Sequence, residues 1–207
     1  KQMSIVSKKT IHVEGLDLAG KSTTCRLLRD KLNCEMRNNF ITSENYIFER
    51  ANELMFEATL GAGTLGGVYY GALLYDLKNY RIPENFVVQD STIILRSIAY
   101  HTVFGDNALA SECRKLLDQH PRFGKSVVLW ASDEVRLKRL EGRCSRHNDN
   151  PDDFLIVKNP DAFHRMQDVL IDVCQKEFNA EIIDTSFLEN EGEKDRVTNY
   201  ILKGFYG

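Results

Sequence analysis

The chain has 207 residues, 43% of them hydrophobic and 28% charged, with a net charge of −3. That length supports one α/β domain with a substantial core, and the near-neutral balance gives no basic field for nucleic-acid or membrane binding. The cysteines Cys25, Cys34, Cys113, Cys144 and Cys174 form no C-x-x-C pair and the histidines no ligand cluster, which argues against zinc and for reduced thiols in a cytoplasmic setting.

Residues 10–14, Thr-Ile-His-Val-Glu, alternate apolar side chains and predict a strand, followed by a helix over 22–32 with Leu27, Leu28 and Leu32 at helical spacing. Residues 34–41 could hold a short second strand, and 43–60 predict a helix. Gly61 to Gly67 reads as a flexible break before a helix over 69–79, closed by the turn at Pro83. Residues 86–90 form a short buried strand ending in Asp90, with helices over 92–104 and 108–119 after it. A strand at 125–131 leads into a charged helix over 133–141 capped by Ser132. Residues 142–157 are polar and predict a mobile lid. An amphipathic helix over 161–178, a strand at 181–184 and a helix over 193–202 complete the chain. No apolar run approaches the ~18 residues that span a bilayer. Strands alternating with helices predict an α/β fold, a parallel sheet of about five strands wrapped by helices on both faces.

Residues 15–22, Gly-Leu-Asp-Leu-Ala-Gly-Lys-Ser, match G-x-x-x-x-G-K-[ST] between that first strand and helix. Gly15 and Gly20 let the backbone turn tightly, so that the N–H groups of Leu18, Ala19, Gly20, Lys21, Ser22 and Thr23 can face phosphate oxygens. Lys21 supplies a mobile cation, Ser22 a hydroxyl ligand for Mg²⁺, and the helix its positive N-terminal end. This predicts a P-loop NTPase fold that uses ATP and Mg²⁺.

Two acids fall at strand carboxyl ends, where ligands sit in such sheets. Asp90 ends an apolar strand and is a candidate metal ligand, with capping of the next helix as the alternative. Asp17 lies inside the loop, where a negative charge beside phosphate is costly. It therefore points toward an acceptor, or else makes a loop-stabilising hydrogen bond. Arg136, Arg139, Arg143 and Arg146 are spaced 3, 4 and 3 and share one face if the helix continues. Arg136 and Lys138 read as a solvated face. Arg143 and Arg146 read as lid arginines able to meet a transferring phosphoryl group.

Glu14-Gly-Leu-Asp-Leu-Ala-Gly-Lys-Ser-Thr-Thr24 resembles the opening of thymidylate kinases, E-G-[LV]-[DE]-x-x-G-K-[ST]-T. Val88-Gln-Asp90 with Ser97-Ile-Ala-Tyr100, the stretch from Leu129 to Arg139, and Ile183-Asp-Thr-Ser186 are similar to later segments of that family. The resemblance implies a doubly wound fold, a homodimer, and transfer of the ATP γ-phosphate to a nucleoside monophosphate. By it, Asp17 would contact the acceptor sugar, Asp184 and Thr185 would border the adenine, and Tyr100 would line the acceptor site.

The departures lie on the acceptor side. Ser91 stands where the family has arginine, the R-E-P-G-G-T segment is missing, and the helix before Asp90 offers no arginine. Those arginines serve the acceptor's phosphate, which bidentate guanidinium pairs hold well. Arg37, Arg50 or Arg96 would have to substitute, with Arg37 and Arg96 the substrate-binding candidates. The alternatives are a related kinase for another small acceptor, such as a nucleoside or specialised metabolite, and a catalytically silent ATP-binding protein. No N-K-x-D segment supports a GTP switch. If the acceptor is a hydroxyl it needs a base, for which Asp17 or Asp90 is the candidate.

Overall fold

The computed structural model describes residues 5–57, 60–104, 107–147, 151–188 and 190–206. Its frame is a five-stranded parallel sheet in the order β2-β3-β1-β4-β5, made by Val6–Glu14 (β1), Glu35–Asn38 (β2), Val87–Asp90 (β3), Arg122–Trp130 (β4) and Glu181–Asp184 (β5). β1 lies in the middle, with Val13 opposite both Asp90 of β3 and Val127 of β4. Neither neighbour follows β1 directly in sequence, so the crossovers leave it to opposite sides. A crevice opens at its carboxyl end, where such sheets bind ligands.

The helices are Lys21–Leu32 (α1), Tyr46–Glu57 (α2), Ala62–Asn79 (α3), Ile93–Phe104 (α4), Asn107–Lys115 (α5), Asp133–Ser145 (α6), Leu155–Lys158 (α7), Pro160–Phe178 (α8) and Glu191–Tyr206 (α9). They cover both faces and bury two apolar clusters. One joins α3, α4 and α8 around Leu73, Ile94, Phe163 and Leu170. The other joins α1 and α9 to the sheet around Ile11, Leu28, Leu129 and Ile201.

Three expectations are corrected. The expected break at Gly61 to Gly67 is instead the N-cap of α3, Gly61, followed by residues 62–67 of that helix. A Cβ on Gly66 would stand 2.7 Å from the His101 ring and 2.9 Å from Leu109, so this glycine marks close packing and not flexibility. α6 does not stop at Gly142 but runs to Ser145. Within the expected lid, 142–145 and 155–158 are α-helical and 151–154 form a 3-10 turn, while 148–150 lie outside the described residues. Arg136, expected in solvent, is wholly buried. The Tyr69 hydroxyl donates to Asn52 and Tyr75 packs on Tyr46, so both rings join α3 to α2.

His120 is buried beside Phe123 and Phe178, and its Nδ1–H donates to the Pro121 carbonyl. Burial is the main reason its pKa falls from 6.5 to about 3. The unfolded chain therefore binds a proton below pH 6.5 that the folded chain refuses. Stability should fall from pH 6.5 to 5, by up to about 1.4 kcal/mol per pH unit. Urea unfolding of wild type and His120→Leu across that range checks it, with a flatter profile expected for the variant.

Candidate active site

The phosphate loop leaves the end of β1 at Gly15, whose φ is 149°. A Cβ there would lie 2.7 Å from the Leu129 carbonyl oxygen of β4, so only glycine lets the loop pass. Gly15→Ala should cost about 2–4 kcal/mol in urea unfolding and weaken ATP binding with it. Leu18 and Gly20 also have positive φ, 65° and 89°, which turns successive N–H groups toward one concavity. No side chain caps α1 at Gly20, so its first-turn N–H groups remain available to an anion.

Lys21 reaches across this concavity, its Nζ 2.9 Å from Asp90 Oδ1. The Asp90 side chain is only 9% exposed, and Lys21 is the partner that oxygen meets among the described residues. The Ser22 residue is exposed on the first turn of α1. One carboxylate and one hydroxyl beside a polyphosphate site suit Mg²⁺, which prefers few protein oxygens plus phosphate and water. No larger group of metal-ligating side chains converges among the described residues.

Glu14, expected only as the end of a strand and the first residue of the thymidylate-kinase-like segment, is the buried hub. Its Oε1 accepts from the Gly15 N–H (3.0 Å) and Ser91 hydroxyl (2.8 Å), and its Oε2 from the Thr92 N–H (3.1 Å). Burial alone would raise its carboxyl, but the adjacent His12 ring, Arg96 and Lys21 outweigh this and hold it down at about 2. An acid between a buried strand and the loop glycine was the available sequence signal. Ser91, at the family's arginine position, completes the tie between β1 and β3.

Arg96 comes in from α4. Its Nη2 donates to the Gly15 carbonyl at 3.1 Å, and its guanidinium lies 3.5 Å from Glu14 and 3.8 Å from Asp17. Lys21, Asp90, Asp17 and Arg96 are thus drawn together at the carboxyl ends of β1 and β3. From the other side Arg139 donates to the Leu18 carbonyl at 2.8 Å and to the Thr185 carbonyl at 2.7 Å. The Thr185 hydroxyl bonds the Ala19 carbonyl at 2.7 Å. Asp184, expected with Thr185 at the adenine border, is exposed at the end of β5 and accepts from the Ser186 N–H.

Other expected site residues stand apart from this cluster. Arg37 on β2 holds Glu35 through two bonds, of 2.8 and 3.1 Å, and donates to the Ile41 carbonyl. Arg50 pairs with Glu53 on α2. Arg143 is engaged by the buried Asp153. Arg146 is exposed and folds back over Gly142. Tyr100, 43% exposed one turn beyond Arg96, packs against Phe104.

No protein-family model and no curated protein sequence matches this chain. Solved structures do. A thymidylate kinase from Candida albicans matches over 94% of this chain and 89% of its own, with a TM-score of 0.65 at 17% identity. One from Ehrlichia chaffeensis matches over 96% and 98%, with a TM-score of 0.60 at 16% identity. A deoxyadenosine kinase from M. mycoides, solved with bound dCTP, matches over 94% and 98%, with a TM-score of 0.60 at 16% identity. The fold is that of the P-loop kinases. In that P-loop kinase frame the loop and Lys21 lie at the carboxyl end of the central strand and Asp90 at the end of β3 beside it, and at these identities the likeness speaks for the fold alone.

Proposed function

We propose that this chain is an ATP-dependent phosphotransferase that moves the γ-phosphate to a hydroxyl of a small acceptor, a nucleoside or comparable metabolite. The observation that carries the acceptor half is the state of the arginines. Arg37, Arg50 and Arg96 each already face a carboxylate, so none is left as a free fork for a phosphomonoester. A nucleoside monophosphate is the second reading, favoured by the sequence resemblance to thymidylate kinases. It would require Arg96 to exchange Asp17 for the acceptor phosphate.

The loop N–H groups and Lys21 would hold the polyphosphate. Asp90 and Ser22 would hold Mg²⁺, which supplies charge neutralisation on the β- and γ-oxygens when bound. With Asp90 occupied by Lys21 or the metal, Asp17 is the better base. Its carboxylate would take the acceptor's hydroxyl proton as the acceptor oxygen bonds to the γ-phosphorus in line. The bond from that phosphorus to the bridging oxygen breaks, and ADP leaves. Residues 142–157 act as the lid in this scheme. Arg143 would give up Asp153 and, with Arg146, turn to the γ-phosphate as the site closes.

ADP release from ATP and Mg²⁺ tests this against nucleosides, nucleoside monophosphates, hydroxyl metabolites and no acceptor. Stimulation by an unphosphorylated hydroxyl compound supports the first reading. Stimulation by monophosphates alone supports the second. Slow turnover indifferent to every acceptor leaves a silent ATP-binding protein.

A further inference from the structure

Arg136 is the largest side chain with no exposed surface among the described residues, and it is a cation. Its hydrogen bonds end on neutral oxygens. Nε donates to the Ala131 carbonyl at 2.9 Å, Nη2 to Gln167 Oε1 of α8 at 2.7 Å, and Nη1 to the main-chain carbonyl of Asp17 inside the phosphate loop. The guanidinium lies over the Phe163 ring, 5.0 Å from its centroid. Burying a charge without a bonded counter-charge is costly. Burial brings this guanidinium's pKa down to about 10, against the more distant pull of Asp17 and Asp133. Packing alone would be served by leucine or methionine at no such cost.

We propose that Arg136 is a positioning residue of the phosphate site: it fixes the Asp17 carbonyl from behind the loop and places a buried positive charge on the side away from the cleft. The inference rests on the phosphate-site reading above and deepens it. One guanidinium then serves both substrates. Its charge favours polyphosphate in the concavity, and its bond to Asp17 sets where that residue's carboxylate meets the acceptor. Arg139 holds the next carbonyl, that of Leu18.

Calorimetric titration with tripolyphosphate, which carries neither adenine nor acceptor, tests the charge. Acceptor-dependent kcat tests the positioning. In Arg136→Met, tripolyphosphate affinity and kcat should each fall by ~10- to 100-fold, the range for losing a charge-assisted bond. Arg136→Lys should regain most of the affinity but not kcat, since an ammonium cannot span three acceptors in a plane. An Arg136→Met protein with a cooperative melt, wild-type tripolyphosphate affinity and wild-type kcat would overturn the inference. Should that variant not fold, Gln167→Leu replaces it: lower kcat supports the inference, and unchanged kcat refutes it. Wild type that binds no tripolyphosphate would sink the phosphate-site reading itself, and this inference with it.

Discussion

Lys21→Ala is expected to reduce phosphoryl transfer by at least about 1,000-fold, because Lys21 is the cation that the loop itself sends across the concavity. The same change strips Asp90 of the ammonium 2.9 Å away in a largely buried position. Removing one partner of such a pair leaves an uncompensated charge, so some loss of stability accompanies the loss of activity. The double variant Lys21→Ala/Asp90→Asn separates the two. It should melt near the wild-type temperature and remain inactive. Normal turnover in the single variant, with an unchanged circular dichroism spectrum, would refute the site.

Asp17→Asn carries the second large effect. With a hydroxyl acceptor, removing the base should lower kcat by ~100- to 10,000-fold while ATP affinity holds. With a phosphate acceptor the attacking oxygen is already an anion, and kcat should change far less. Asparagine keeps the main-chain carbonyl that Arg136 holds, so the substitution tests the carboxylate and not the loop. Kinetics with each acceptor from the ADP-release panel then give an assignment of the attacking group independent of the panel itself.

The phosphate loop, its flanking strand and helix, and the acid at the end of β3 were legible in the sequence because each depends on neighbours within about ten residues. Strand number and parallel direction followed from the alternation of apolar strands with amphipathic helices. Two errors came from reading glycine as a breaker. Gly66 is helical because α3 must approach His101, and Gly142 because α6 is held by contacts on both sides of it. The burial of Arg136 was invisible for a related reason. Its spacing on α6 is that of a surface arginine, and besides the nearby Ala131 carbonyl its oxygens come from α8 and the loop, 31 and 119 residues away. Glu14 and Ser91 form a tie across 77 residues that local pattern cannot reveal.

The central place of β1 has a consequence for how such a protein changes over generations. Glu14 and Asp17 are met by residues that precede β4 in the chain, chiefly Ser91, Thr92 and Arg96. The carbonyls of Asp17, Leu18 and Ala19 are held by residues that follow it, Arg136, Arg139 and Thr185. Within the sheet the two halves meet only along β1, and outside it α4 packs on α8. Under the proposed function, mutations accumulating between β2 and α4 would remodel the acceptor wall while the supports behind the loop stay as they are. On that reading a lineage built this way would exchange one acceptor for another in small steps, each intermediate keeping its grip on the phosphate donor.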